Sequence, residues 1–309
     1  MRNILNELSR SSWVSYEPEI ASFSIHPIIQ KLLLSSIEDS ARMALAKETL
    51  SLISMKLRTT SKDIATMSFE QQLVPHIVTC LSLTGFVSLG TDNAFLAALL
   101  CRHGRYREAE RFYIGQLQNK DICKKELLDA KLGLAIAFQR QHKYKEAQHM
   151  YAYLQQAMND IDDRRLRADI LRHHALLAVD QEQRSEAIEL YQMLVEETEK
   201  RFGACHPETV ASLNALAKLL DDQGLYARAE SLTRRVLLYY EQSLTYDDPL
   251  VTETYERLAL LCRRQGKLRQ AREFYQQALK AKRDRLDEEH PYTKATDGYL
   301  VALTGTHEL

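Results

Sequence analysis

The sequence predicts an all-α chain built as a solenoid of helix-turn-helix units, and three observations carry that expectation. A short segment recurs five times without gaps, apolar stripes of helical period flank it, and Pro and Gly are too scarce for a sheet protein full of tight turns. The segment reads HGRYREAERFY at 103–113, QHKYKEAQHMY at 141–151, QEQRSEAIELY at 181–191, QGLYARAESLT at 223–233 and QGKLRQAREFY at 265–275. Its shared alanines, Ala109, Ala147, Ala187, Ala229 and Ala271, stand 38, 40, 42 and 42 residues apart. Pro207, Pro249 and Pro291 also repeat at 42, as do Gly224 and Gly266, so three independent markers keep one register.

Each unit reads as two helices. Before the turn Leu213, Leu216, Ala217 and Leu220 follow i, i+3, i+4, i+7, and after it Ala229, Leu232, Val236 and Leu237 follow i, i+3, i+7, i+8. Gly104, Gly224 and Gly266 fall where a left-handed residue ends the first helix, and His142 and Glu182 at the equivalent place are expected to strain their turns. The small alanine lets the two helices approach closely. His206, Asp248 and His290 each precede proline, the pattern of an N-cap followed by Pro at the first helical position. One such pair cannot bury its stripe alone, whereas a stack shares a continuous core and lines a groove with its first helices. The last segment, HPYTKATDGYLVALTG, begins a sixth first helix with Leu300 and Val301 in register and is expected to act as a C-terminal cap. The array therefore occupies residues 91–309, preceded by a helical linker at 61–90.

Composition narrows the function. Hydrophobic residues make up 45% and charged residues 27%, which suits a folded chain, and a net charge of −1 gives no general attraction to nucleic acid or anionic lipid. No apolar run approaches the ~20 residues that cross a bilayer, and the polar opening MRNILNELSR is no secretory signal, so a soluble cytoplasmic protein with no membrane partner is expected. Cys80, Cys101, Cys123, Cys205 and Cys262 are odd in number and widely spaced, which indicates neither disulfides nor zinc. His173 and His174 are adjacent on a helix and point apart, and His142 and His149 have no carboxylate in a ligand pattern. No G-x-S-x-G elbow and no G-x-x-x-x-G-K-[ST] phosphate loop occurs, so no catalytic residue, metal, cofactor or bound nucleotide is expected. Charge is uneven along the chain: nine basic residues face two acidic ones from Arg263 to Arg285, and seven acidic face two basic from Asp180 to Lys200.

The stretch GACHPETVASLNALAKLLDDQGLYARAESLTRRVL at 203–237 resembles the longer, kinesin-light-chain-like class of tetratricopeptide repeat. The resemblance spans residues 91–304 and is sharpest from Phe202 to Leu303, where histidine-proline, leucine-asparagine, leucine-alanine, glycine and alanine recur. It implies a right-handed superhelical α-solenoid that binds proteins or peptides. A second resemblance lies upstream: SFSIHPIIQKLLL at 22–34, then EDSARMALAKETLSLISMKL and QQLVPHIVTCLSL, look like the junction between winged-helix segment and repeats in fungal NB-ARC (STAND) NLR-like receptors of innate immunity. By that resemblance residues 1–60 hold a small winged-helix remnant with linking helices, and the chain is a ligand-sensing or scaffold arm without the nucleotide-binding module. Read from the residues, Ser22 to Ile25 alternates like a short strand, with no sheet expected beyond a hairpin near Trp13 to Ile25, and His26 and Pro27 open the next helix.

Counting back from each turn places Arg102, Arg140, Asp180, Asp222 and Arg264 in one groove-facing row, and Leu132, Arg172, Asn214 and Glu256 in another. Asn214 matches an asparagine that, in the light-chain-like repeats, hydrogen-bonds an extended peptide backbone. The second family asparagine is replaced by Ala215, and by Arg257 in the next unit, so a regular asparagine ladder is absent. The expected partner is a protein or peptide with its own charge pattern, or the two rows pair with one another across neighbouring helices. Two other readings use the same chain: a freestanding adaptor of the motor-cargo kind, and a nucleic-acid binder at the basic C-terminal repeat. The sequence leaves the oligomeric state open.

Overall fold

All five turn alanines are fully buried, and helices pair around Ala109, Ala187, Ala229 and Ala271 as the period requires. The computed structural model describes residues 14–17, 22–25, 38–59, 64–84, 93–119, 122–158, 161 and 163–305. Among these, the one sheet is an antiparallel hairpin of β1 (Val14–Glu17) and β2 (Ser22–Ile25), with Val14 opposite Ile25. It matches the expected hairpin. The winged-helix expectation rests largely on 26–37, including His26 and Pro27, which lie outside the described residues.

The rest of the described chain is helical and divides into two compact units, Met1–His142 and Lys143–Leu309. The first holds α1 (Asp39–Thr59) paired with α2 (Ile64–Leu83), α3 (Asn93–Arg102) paired with α4 (Tyr106–Leu117), and α5 (Lys124–Arg140) against α3 and α4. Leu96, Leu99, Leu100, Ala109 and Phe112 are buried in the α3–α4 pair, and Leu128, Leu134 and Ala135 on α5. Gly133 has a packing reason that periodicity does not show. A β-carbon there would sit 2.1 Å from Cζ of the buried Tyr113 ring, so only glycine lets α5 close on α4.

The second unit runs α6 (Tyr144–Ala157), α7 (Arg164–Asp180), α8 (Arg184–Phe202), α9 (Pro207–Asp222), α10 (Tyr226–Ser243), α11 (Pro249–Arg264), α12 (Leu268–Arg285) and α13 (Pro291–Gly305). Each helix packs on its sequence neighbour, and this nearest-neighbour stacking is the solenoid logic. The predicted stripes supply the core with Leu213, Leu216, Ala217 and Leu220 on α9 and Ala229, Val236 and Leu237 on α10, whereas Leu232, the fourth expected on α10, is only half-buried.

The turns share one device. In α9–α10 the Gly224 N–H bonds the Asp221 carbonyl and the Leu225 N–H bonds the Leu220 carbonyl, both at 2.9 Å, a Schellman closure. Arg105, Gln183 and Lys267 make the same second bond in their turns. The closure needs a left-handed residue: Gly104, Gly224 and Gly266 take φ of 72°, 74° and 75°, and His142 and Glu182 are forced to 60° and 58° as expected. The N-caps also stand where the prolines placed them. Nδ1 of His206 accepts from the Glu208 N–H, Asp248 from Leu250 and His290 from Tyr292.

A polar bond between helix pairs recurs inside both units. The residue after the turn alanine, Glu110 on α4 or Glu230 on α10, accepts from the glutamine that ends the following first helix. Gln141 Nε2 reaches Glu110 at 2.7 Å and Gln265 Nε2 reaches Glu230 at 2.9 Å. Glu230 also accepts from Lys267 Nζ at 2.7 Å and Arg234 Nε at 2.9 Å. At α13 the outward face changes character. Positions filled by Thr252 and Tyr255 on α11 are filled by Lys294 and Asp297.

Burial alone would raise the Glu230 carboxyl, but hydrogen bonds from Lys267, Arg234 and Gln265 outweigh it and hold the pKa at about 2, against 4.5 for a free glutamate. The unfolded chain therefore takes up this proton first. Stability from Glu230 is fully present above about pH 4.5 and lost as pH falls toward 2. Thermal melting followed by circular dichroism should show that fall in the wild type, and Glu230→Gln should lower Tm at pH 7 while flattening the pH 4.5-to-2 limb.

Candidate functional site

First helices of the second unit present a line of clefts. Between α7 and α9 a cleft of about 350 Å³ is lined by Arg165, Asp169, Arg172, Arg201, Phe202 and His206, with Glu208 at its edge. Between α9 and α11 a second of about 290 Å³ is lined by Asn214, Ala215, Lys218, Tyr240, Glu253 and Arg257. A third of about 430 Å³ reaches α13 and is lined by Asp221, Asp222, Glu256, Arg263, Tyr275 and Tyr299. The second and third clefts share Lys218 and Arg257, so they form one surface.

The helical period explains who lines it. Residues Asn214, Lys218 and Asp221 recur on one side of α9, and Glu253, Glu256, Arg257 and Arg263 on the matching side of α11. Four expected groove residues, Arg172, Asn214, Asp222 and Glu256, line these clefts. Arg264 stands at the edge, in an ion pair with Asp221 and 5.4 Å over the Tyr226 ring. Asp180 is exposed at the end of α7 and outside the cleft linings. Arg102 and Arg140 belong to the first unit. The former lies 3.4 Å from Glu70, and the latter eases a Cys101 thiol that burial pushes up to about 11. Leu132 is buried and presents nothing to a ligand.

The second row is largely committed to partners within the fold. Arg172 pairs with Glu208 of the next helix pair and lies 3.8 Å from Asp169, whose carboxyl is raised by burial and lowered by Arg172 and Arg165. Asn214 gives Nδ2 to Tyr240 Oη at 3.2 Å and accepts from Arg257 Nη1 at 3.3 Å. Glu256 accepts from the buried Lys282 Nζ at 2.6 Å and from Thr296, and Lys282 also donates to Thr296 at 2.8 Å. Asn214 is thus engaged at both ends, by Tyr240 and by the arginine that stands in place of the second ladder asparagine in the next unit.

What remains available is a set that row counting missed. Lys218 and Arg263 are exposed and make no ion pair among the described residues, and Arg257 bonds a neutral amide. Glu253 and Asp222 are exposed beside them, and Tyr299 is 48% exposed while stacked on buried Tyr275 at 5.7 Å. Lys218 was findable: it stands four residues after Asn214, on the same helix face. The basic C-terminal stretch, by contrast, loses its uniformity. Arg264, Lys267, Lys282 and Arg283 all sit beside carboxylates.

Among the described residues no cluster of three or more histidine, cysteine or acidic side chains could hold a metal ion. Likewise no helix there is long and apolar enough to cross a membrane.

Residues 222–284 match the tetratricopeptide repeat family. No curated protein matches the chain. Among solved structures, the nearly identical TPR-like repeats of a putative kinesin light chain from Podosopora anserina are similar at TM-score 0.53 and 20% identity, covering 63% of this chain and 95% of that one. BtubC (BKLC) from P. vanneervenii is similar at TM-score 0.52 and 17% identity, covering 81% and 94%. RapI in its apo form is similar at TM-score 0.58 and 10% identity, covering 86% and 72%. At these identities the likeness is one of fold: helix pairs of the tetratricopeptide kind.

Because Glu256 compensates a buried ammonium, Glu256→Ala should cost on the order of 2 kcal/mol in chemical denaturation. The loss should appear first as fraying of α13, read by hydrogen exchange.

Proposed function

We propose that the chain is a protein-interaction module that holds a protein or peptide partner on the first-helix face of α9, α11 and α13, with α7 extending it. The observation that carries this reading is the continuous cleft around Lys218 and Arg257, where exposed charges of both signs make no ion pair among the described residues and stand beside an exposed tyrosine. Recognition runs through side-chain charge. Extended-backbone reading by Asn214 has little support, since its amide is already bonded at both ends.

The finer reading is a ligand-sensing or scaffold arm of an NLR-like signalling receptor acting in the cytoplasm. Its support is the sequence resemblance at 22–34 and the helices after it, for which a motor-cargo adaptor has no evident use. An in-frame phosphate-loop module encoded upstream of Met1 favours the receptor, and its absence favours the adaptor. The nucleic-acid reading has lost its uniform basic end to internal ion pairs.

Charge reversal tests the face. Lys218→Glu with Arg263→Glu should weaken capture of a partner identified by cross-linking at least tenfold, with Tm within a few degrees of wild type, because neither side chain supports the fold. Unchanged capture at intact Tm places the partner elsewhere.

A further inference from the structure

We propose that the helix pair α7–α8 is an acid-sensitive joint of the second unit, opened by protonation of His174. Its imidazole is 5% exposed and lies flat on the Tyr151 ring of α6, with centroids 5.2 Å apart and planes 9° apart. Nε2 stands 3.6 Å from the Glu186 carboxylate of α8, which is 41% exposed. Nδ1 is buried and has no protein partner within hydrogen-bond reach. Among the described residues, Tyr151 from α6 and Glu186 from α8 are titratable groups in contact with the ring.

This setting suits a neutral ring and not a cation. An imidazolium has two N–H donors to satisfy, and here one faces no acceptor and the other a distant, solvent-screened carboxylate. Burial accordingly pulls the pKa down to about 4. The same helix has little polar reserve. Nε of Arg167 and Oε1 of Gln181 are also buried without a protein partner, so three of the seven such atoms among the described residues belong to α7 and its C-cap. Glu182, next in the chain, is held at a left-handed φ of 58°.

The sign follows from linkage. Above about pH 6.5 neither closed nor open α7 binds the proton, and between 6.5 and 4 the open form binds it while the closed form does not. Opening therefore grows as pH falls, by about 30-fold at pH 5 relative to pH 7.5. Because each pair packs on its neighbours alone, the opening stays local. It would also dismantle the cleft wall made by Arg165, Asp169 and Arg172, a consequence that rests on the proposed binding face, whereas the opening itself does not.

Hydrogen exchange by mass spectrometry on the full chain at pH 7.5 and pH 5, corrected for intrinsic rates, tests this. Amides of α7 and α8 should open about 30-fold more at pH 5, those of α11 and α12 far less, and His174→Phe, which keeps the ring stack, should remove the difference. An NMR titration of the wild-type histidines, which needs no variant, should find the His174 ring still neutral at pH 5. The proposal is overturned by a uniform loss of protection over 164–305, by the same loss in His174→Phe, or by a His174 ring already charged at pH 5.

Discussion

The close approach of paired helices at the turn alanine is the constraint on which the rest depends. A left-handed residue closes the first helix, the chain reverses within three residues, and the second helix starts near enough that only a small side chain fits where the two cross. With the alanine fully buried, the apolar stripes on either side face one another and the next pair. Where glycine is absent, at His142 and Glu182, the backbone keeps the same left-handed geometry at a cost of roughly 1 kcal/mol each. The stacking, rather than the local turn preference, decides the conformation there.

Polar groups then fix what apolar stacking leaves free. Stripes of leucine and alanine tolerate small slides, whereas the Gln141–Glu110 and Gln265–Glu230 bonds hold one pair at a definite height on the next. Lys282 does the same at the end of the second unit, tying α12 to Glu256 on α11 and Thr296 on α13. A face built this way carries many charges, of which a minority makes no ion pair among the described residues. Lys218, Asp222, Glu253 and Arg263 belong to that minority on α9 and α11, with Arg257 bonded only to the neutral amide of Asn214.

Much of this was legible in the sequence because it is periodic. The turn alanines, the left-handed positions, the caps at His206, Asp248 and His290, and the α9 and α10 stripes each follow from one residue's place in the repeat. The use of the second row was not legible. Whether Asn214 faces a ligand depends on Tyr240 and Arg257, which are 26 and 43 residues away and vary from unit to unit. His174 shows the same limit: the sequence says that it and His173 point apart, and only packing on Tyr151 says which one is buried. Gly133 belongs to no repeat pattern, and its reason is a single aromatic ring.

The central claim is that stability is local because each helix pair depends on a close contact with its immediate neighbours. Ala229→Leu tests it most directly, since three added carbons overfill the α9–α10 crossing without touching charge or turn. The substitution should cost on the order of 1 to 3 kcal/mol, with protection in native-state hydrogen exchange lost from α9 to α12 and retained in α6 to α8. An equal loss of protection over the whole second unit would contradict the account and mark a single cooperative globule instead.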